Sequence, residues 1–370
     1  MPTRSEYLSV KENSVRGRYV VHEQIKKFLR QSKGNHTVRT VGKSVQGRSI
    51  KSIELGTGTT KILMWSQMHG NESTTTKAVL DLINYLNSYS RSAKTILENC
   101  TIAILPMLNP DGAEAYTRVN ANGIDLNRDA RQRTQPESVA LRKVFNGFRP
   151  DYCFNLHDQR TIYNVGNTPK PATVSFLAPA QDGERSVSPS RIKSMELIVA
   201  MNDILQHYIP GQVGRYDDAF NPNCVGDTFQ MTGTPTVLFE AGHYFGDYDR
   251  EYTREYLFHA LLTALRTIEE NKVDALDDTD YFQIPENQKL FFDVLIKNVH
   301  IIDSSQEKGN AIGLLYGEKL EAETIRFVPE IEETGDLGGY FGHKVYDCTI
   351  RSDRESLKQR SELISCLTDS

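Results

Sequence analysis

Lys61-Ile-Leu-Met-Trp-Ser-Gln-Met68 runs straight into His69-Gly70-Asn71-Glu72, and a helical pattern follows from Ser73 to Leu86. An apolar strand, a short turn and an amphipathic helix are the opening of a layered α/β unit. A histidine and a glutamate three residues apart at the strand's end aim an imidazole and a carboxylate at one point. That supplies two of the three protein ligands a catalytic zinc site needs, the fourth position staying open. The third ligand has to come from a distant strand end. His157 closes the apolar run Asp151-Tyr-Cys-Phe-Asn-Leu-His157-Asp158, 85 residues after Glu72, and is placed for that role.

The same alternation extends on both sides of this unit. Strands are expected at Ile50–Leu55, Ile62–Ser66, Thr101–Met107, Tyr152–Leu156, Val174–Ala178 and Thr236–Glu240. Helices are expected near Glu72–Leu86, Glu137–Phe145, Arg191–Tyr208 and Tyr252–Glu269, with an amphipathic helix earlier at Val20–Gln31. This order predicts an α/β fold, a largely parallel sheet with helices on both faces. Open sheets of that kind bind ligands beyond the carboxyl ends of their strands. His69, Asn109, His157 and Glu240 each follow or close an apolar strand, which points to one shared site.

Around Val273-Asp-Ala-Leu-Asp-Asp-Thr-Asp280 the pattern becomes acidic and linker-like. Beyond it come short β-type runs at Phe291–Ile296, Ala311–Tyr316, Thr324–Val328 and Lys344–Thr349, then a charged helix at Asp353–Leu363. The reading is a catalytic domain over 1–275 and a small, mostly β C-terminal domain over 281–370, an appendage without chemistry of its own.

At 370 residues, with 38% hydrophobic and 25% charged residues, the chain reads as an ordinary globular protein with ample core. A net charge of -5 and the absence of a dense basic stripe argue against nucleic acid as a partner. No apolar run reaches the roughly 18–20 residues that span a bilayer, and Met1-Pro-Thr-Arg-Ser-Glu-Tyr lacks a signal-peptide core. Five scattered cysteines without a Cys-x-x-Cys suit free thiols in a reducing, cytoplasmic setting. The oligomeric state is open.

Three further segments carry chemistry. Asn109-Pro110-Asp111-Gly112 is turn punctuation after a strand. In Arg118-Val-Asn-Ala-Asn-Gly-Ile-Asp-Leu-Asn127-Arg128, the Asn127–Arg128 pair suits capture of a carboxylate, since a guanidinium fork beside an amide donor matches two oxygens. Arg118 offers positive charge where an oxyanion develops. In Pro235-Thr-Val-Leu-Phe-Glu240-Ala-Gly-His243, a carboxylate ends a buried strand, a costly position unless the group is paired or used. Near a metal site Glu240 suits general base and acid work. Asp158 is a neighbour of the third ligand, and His243 is read as structural, as are His22, His36, His207, His259, His300 and His343.

Together these motifs, in this order, resemble the zinc carboxypeptidase (M14, funnelin) family, in its compact bacterial-type branch, over roughly residues 45–270. The resemblance implies a mixed, mainly parallel eight-stranded sheet and one zinc ion held by His69, Glu72 and His157. It also implies Asn127 and Arg128 on the substrate's terminal carboxylate, Arg118 on the scissile carbonyl and Glu240 as base and acid. The implied reaction is hydrolysis of a peptide's C-terminal amide bond by promoted-water attack, without a covalent intermediate. The substrate is then a peptide or a small carboxylate-bearing amide. Departures from the digestive enzymes are the short Glu72 to His157 spacing, the lack of an assignable substrate-capping tyrosine (Tyr216 is the candidate) and the C-terminal residues. The second reading is a zinc-dependent N-acyl amino acid deacylase of the aspartoacylase and succinylglutamate desuccinylase type, which shares the His-Gly-Asn-Glu segment; Asn109-Pro-Asp-Gly112 favours the peptidase. A non-catalytic binding module would need a broken triad or a missing Glu240, and both are intact.

Overall fold

A computed structural model describes residues 1–88 and 90–368. Its large sheet has eight strands: β1 (His36–Lys43), β2 (Ser49–Leu55), β3 (Thr60–Ser66), β4 (Cys100–Leu105), β5 (Tyr152–Asp158), β7 (Val174–Leu177), β8 (Val213–Arg215) and β9 (Thr236–Ala241), with β6 (Asn164–Val165) outside it. Their spatial order is β1-β2-β4-β3-β5-β9-β7-β8. The central run β4-β3-β5-β9 is parallel, as is β7-β8; β1-β2, β2-β4 and β7-β9 are antiparallel. The architecture is thus the mixed α/β sheet expected.

Alternation along β3 shows why both faces are covered. Ile62 and Met64 join a core beneath α3 (Thr74–Leu86), α4 (Arg91–Asn99), α7 (Pro189–Tyr208) and α9 (Glu251–Glu269). Leu63 and Trp65 point the other way, into a second core with Leu141 and Phe145 of α6 (Pro136–Phe148) and Phe229 of α8 (Val225–Gln230). A strand apolar on every residue is therefore a strand buried on both sides.

The amino-terminal residues are stitched onto this layer by charge. Arg254 of α9 forks onto Asp81 of α3 at 2.6 and 2.7 Å, both side chains are fully buried, and Tyr7 of α1 (Arg4–Val10) donates to the same carboxylate at 3.1 Å. Each of those buried groups is hydrogen-bonded, which is the condition for burying a pair at all.

Several elements went unread in the sequence. β1 is a largely exposed edge strand of polar residues, so no apolar alternation betrays it. Asn109-Pro-Asp-Gly112 is not a plain turn: Asn109 caps α5 (Pro110–Ala115), accepting from Gly112 N at 2.9 Å, with Pro110 in the first turn. The helix after His69 starts at Thr74 rather than Glu72, so Glu72 sits in the preceding turn.

The carboxyl-terminal residues form a four-stranded sheet, ordered β13-β12-β11-β14, from β11 (Phe291–Lys297), β12 (Ala311–Glu321), β13 (Thr324–Gly335) and β14 (Phe341–Asp347). Just before it, β10 (Asn287–Gln288) pairs with β6, beside the large sheet. The expected closing helix is two, α10 (Arg351–Lys358) and α11 (Ser361–Thr368). This sheet lies against the carboxyl end of the large one: His343 Nε2 bonds Thr161 O at 2.7 Å, and Thr161 Oγ1 bonds Asp293 at 3.0 Å. Among the described residues no helix is long and apolar enough to cross a membrane, and Cys100, Cys153, Cys224 and Cys348 are free thiols.

Candidate functional site

The strand ends β3, β5 and β9 meet at the floor of a cleft of about 910 Å³. Its lining includes His69, Glu72, Arg118, Asn127, Arg128, His157 and Glu240, but not Asn109, which was expected in the same site.

His69 reaches the floor by an abrupt exit from β3. Gln67 takes the left-handed conformation at φ 48°, and its amide bonds Val20 O and Gly70 O, both at 2.8 Å. A glycine between a strand and a helix ordinarily supplies the turn's conformational freedom. Instead Gln67 does, and Gly70 answers a need for closeness: a Cβ there would lie 1.9 Å from the Gly112 carbonyl carbon. The Asn109–Gly112 segment thus supports the site from beneath without lining it.

Three donor groups converge. Glu72 Oε1 lies 2.8 Å from His69 Nδ1, Glu72 Oε2 lies 2.9 Å from His157 Nδ1, and the two Nδ1 atoms are 3.2 Å apart. All three residues are buried and their ligand atoms fall within 4.8 Å of one another. His69 Nε2 lies 3.0 Å from Asp125 Oδ1. An ionised carboxylate only accepts, so the ring proton sits on Nε2 and Nδ1 presents a bare lone pair. Lone pairs and a carboxylate facing one point repel each other unless a cation lies among them. Tetrahedral zinc spaces its nitrogen ligands by about 3.3 Å, near the separation here. The donor set fits a zinc ion.

Glu72 is held from behind. Its Oε2 accepts from Asp158 N at 3.2 Å, while the Asp158 carboxylate takes Thr74 N at 3.0 Å and Thr75 N at 3.3 Å. A carboxylate on the first amides of α3 satisfies orphan donors and the helix dipole together. Asp158 therefore acts through α3 and not on its neighbour His157.

Glu240 pairs in register with His157 across β5 and β9, so both side chains leave the sheet on one face. Burial, then the charges of Glu72 and Asp158, push its carboxyl well above the ordinary carboxylate range. Arg118, half exposed, donates Nη1 to Glu72 Oε1 at 3.2 Å and Nε to Asp125 Oδ2 at 3.1 Å. Asn127 Oδ1 accepts from Val225 N at 3.0 Å, which leaves its NH₂ as a donor for the cleft. Arg128 is anchored by Nη1 to Asn127 O at 3.0 Å and Cys224 Sγ at 3.2 Å.

Asp125 escaped the sequence reading. Its Oδ1 caps the turn Leu126–Arg128 through Asn127 N at 2.8 Å and bonds His69 as well. The available signal was a carboxylate two residues before the Asn-Arg pair, in a loop due to return to the site. Asp227 escaped too; it lines the cleft on α8, and burial raises its carboxyl to about 6. Tyr216, the candidate capping residue, lines the cleft with its hydroxyl 2.7 Å from that of Tyr163, and Tyr248 is a further tyrosine in the lining.

Comparison with known proteins bears on the same residues. The zinc carboxypeptidase family matches over residues 21–172, a span holding His69, Glu72, Arg118, Asn127, Arg128 and His157 but not Glu240. Carboxypeptidase M of Mus musculus is 30% identical over 170 residues, 38% of this chain and 38% of that one. Probable carboxypeptidase 2 of Arthroderma benhamiae is 30% identical over 100 residues, 26% of this chain and 19% of that one. The chain thus matches well under half the length of these relatives. Among solved structures, a metallo-carboxypeptidase from Burkholderia cenocepacia superposes with a TM-score of 0.56 at 19% identity, covering 68% of this chain and 69% of its own. Carboxypeptidase A from Helicoverpa armigera gives 0.54 at 17% identity, covering 72% and 78%. These two likenesses establish a shared fold.

Proposed function

We propose that this chain, which matches the zinc carboxypeptidase family over residues 21–172, is a metallocarboxypeptidase that hydrolyses the C-terminal amide bond of peptides. One observation carries the reading: the His69–Glu72–His157 cluster, the in-register carboxylate of Glu240 and the donors of Arg118, Asn127 and Arg128 line a single cleft.

His69, Glu72 and His157 would hold one zinc ion, which when bound acts as a Lewis acid and brings the pKa of its water toward about 7. Asn127 and Arg128 take the substrate's terminal carboxylate, the amide NH₂ and the guanidinium each donating. That anchoring decides which amide bond lies over the floor and makes the enzyme an exopeptidase by position. Arg118 has Nη2 without a protein partner among the described residues and presents it to the scissile carbonyl oxygen. Glu240 takes the proton of the attacking water and passes it to the leaving amine nitrogen. A carboxyl held high by burial is matched to both halves of that transfer.

The test is a mixed pool of free peptides, N-acyl amino acids and murein peptides, offered to zinc-loaded protein and followed by mass spectrometry. Stepwise loss of single C-terminal residues is expected. Deacylation of N-acyl amino acids with every peptide untouched would replace this reading with the deacylase one.

A further inference from the structure

The C-terminal sheet had been expected to stand apart from the chemistry. It instead builds one wall of the cleft, through Asp293 of β11, Leu315, Tyr316 and Glu318 of β12, and Phe327 of β13.

That wall is locked in place. Asp293 is 1% exposed and accepts from Tyr248 OH at 2.9 Å, Thr161 Oγ1 at 3.0 Å and Tyr316 N at 2.8 Å. A buried carboxylate is tolerated only with such a full set of donors, so its cost is offset only when the sheet is docked. Glu318 pairs with the nearly buried Arg18 at 3.0 Å and also accepts from the hydroxyl of Tyr116, two residues before Arg118. The rings of Tyr316 and Phe327 each lie 5.2 Å from that of Tyr248. Arg18 in turn sits beside the site floor, its carbonyl accepting from Ser73 Oγ at 2.6 Å next to Glu72.

The wall is also connected to the site floor. From the cluster, His69 leads through Asp125 to Asn127 and Arg128. Glu72 leads through the Asp158 amide to Arg250, 4.0 Å from the Asp158 carboxylate, and Ser73 beside it leads to Arg18 and Glu318. The carboxylate anchor, the cluster and the C-terminal sheet line one cleft. A peptide whose C-terminus is held at Arg128 and whose last amide bond lies over the cluster shares that cleft with the sheet.

We propose that the C-terminal sheet is the closed end of the substrate cleft. The hairpin β12–β13, locked by Glu318 on Arg18 and Tyr116, limits how far a peptide extends upstream of the scissile bond, and the substrates are short peptides. This rests on the carboxypeptidase reading above. A cleft of about 910 Å³ has the size of a small-ligand site, roughly 300–1,000 Å³. Glu318 and Phe327 are thereby specificity-determining residues, opposite each other in the hairpin register.

The experiment uses the zinc-loaded full chain and peptides of two to ten residues that share one C-terminal dipeptide. For the wild type, kcat/KM is expected to fall at least about tenfold between four and ten residues. Phe327→Ala and Glu318→Gln are each expected to raise the ten-to-four ratio at least about threefold. Binding of the same series to Glu240→Gln, followed by calorimetry, should show the same length order, which a merely structural sheet would not produce. Equal kcat/KM at every length overturns the closed end and leaves the carboxypeptidase reading standing. A length limit unchanged in both variants overturns the hairpin's part in it. Release from no peptide of any length overturns both readings.

Discussion

Asp125 Oδ1 lies 3.0 Å from His69 Nε2 while the same atom accepts Asn127 N at 2.8 Å. One carboxylate thus orients a candidate metal ligand and fixes the turn that presents the candidate substrate anchor. Asp125→Asn keeps the shape but exchanges a full charge for a neutral amide. Partners behind a metal-bound histidine are worth about 10–100-fold in metal affinity. Zinc competition against a chromophoric chelator should show a loss of that size. Unchanged affinity would remove Asp125 from the account.

Arg128 has a different signature. Hydrogen bonds to a charged group contribute about 1.5–3 kcal/mol, so Arg128→Ala should lower kcat/KM on free-acid peptides by about tenfold to a hundredfold. C-terminally amidated analogues, poor substrates already, should lose much less. Equal losses on both would place Arg128 outside carboxylate binding.

Acid should loosen the molecule through histidines that are buried neutral. Burial lowers His343 and His259 to about 4, and burial with His343, Arg250 and Arg18 nearby lowers His243 well below its ordinary value. The unfolded chain, with histidine near 6.5, then binds more protons between about 4 and 6.5, and stability rises with pH through that window. His343 and His259 each contribute on the order of 3 kcal/mol, lost as pH falls from 6.5 toward 4. Urea unfolding across that range should show the slope, and His343→Phe should flatten it. A variant with the wild-type slope would contradict this.

The Asp81–Arg254 pair predicts a large stability effect far from the site. Asp81→Asn leaves a fully buried guanidinium with only Glu251, at 3.2 Å, as a carboxylate partner, a loss of about 3–5 kcal/mol in urea unfolding. A change below about 1 kcal/mol would mean that water or relaxation rescues the charge.

The sequence made the sheet and its floor legible for one physical reason. Strands buried on both faces are apolar throughout, so a His, Asn or Glu at their ends stands out, as His157 and Glu240 do. Asp125 did not stand out, because its partner His69 is 56 residues away and nothing local demands the bond. The need for Gly70 was not legible because close packing against Gly112 leaves no trace in either segment alone. The walling role of the C-terminal sheet did leave one: Asp293 interrupts Phe291-Phe-Asp-Val-Leu-Ile296, and a charge in the middle of a buried strand needs distant donors. Which donors, and on which side of the cleft, only the fold supplies.

The most direct test of the central claim is a paired titration. Metal-free wild type and Glu240→Gln are loaded with zinc stepwise, and the C-terminal residue released from one tetrapeptide is counted at each step. The expected result is activity that saturates at one zinc per wild-type chain, and equal zinc uptake by Glu240→Gln with at least about a hundredfold less release. Comparable release from both proteins, or release that ignores zinc, would contradict the account.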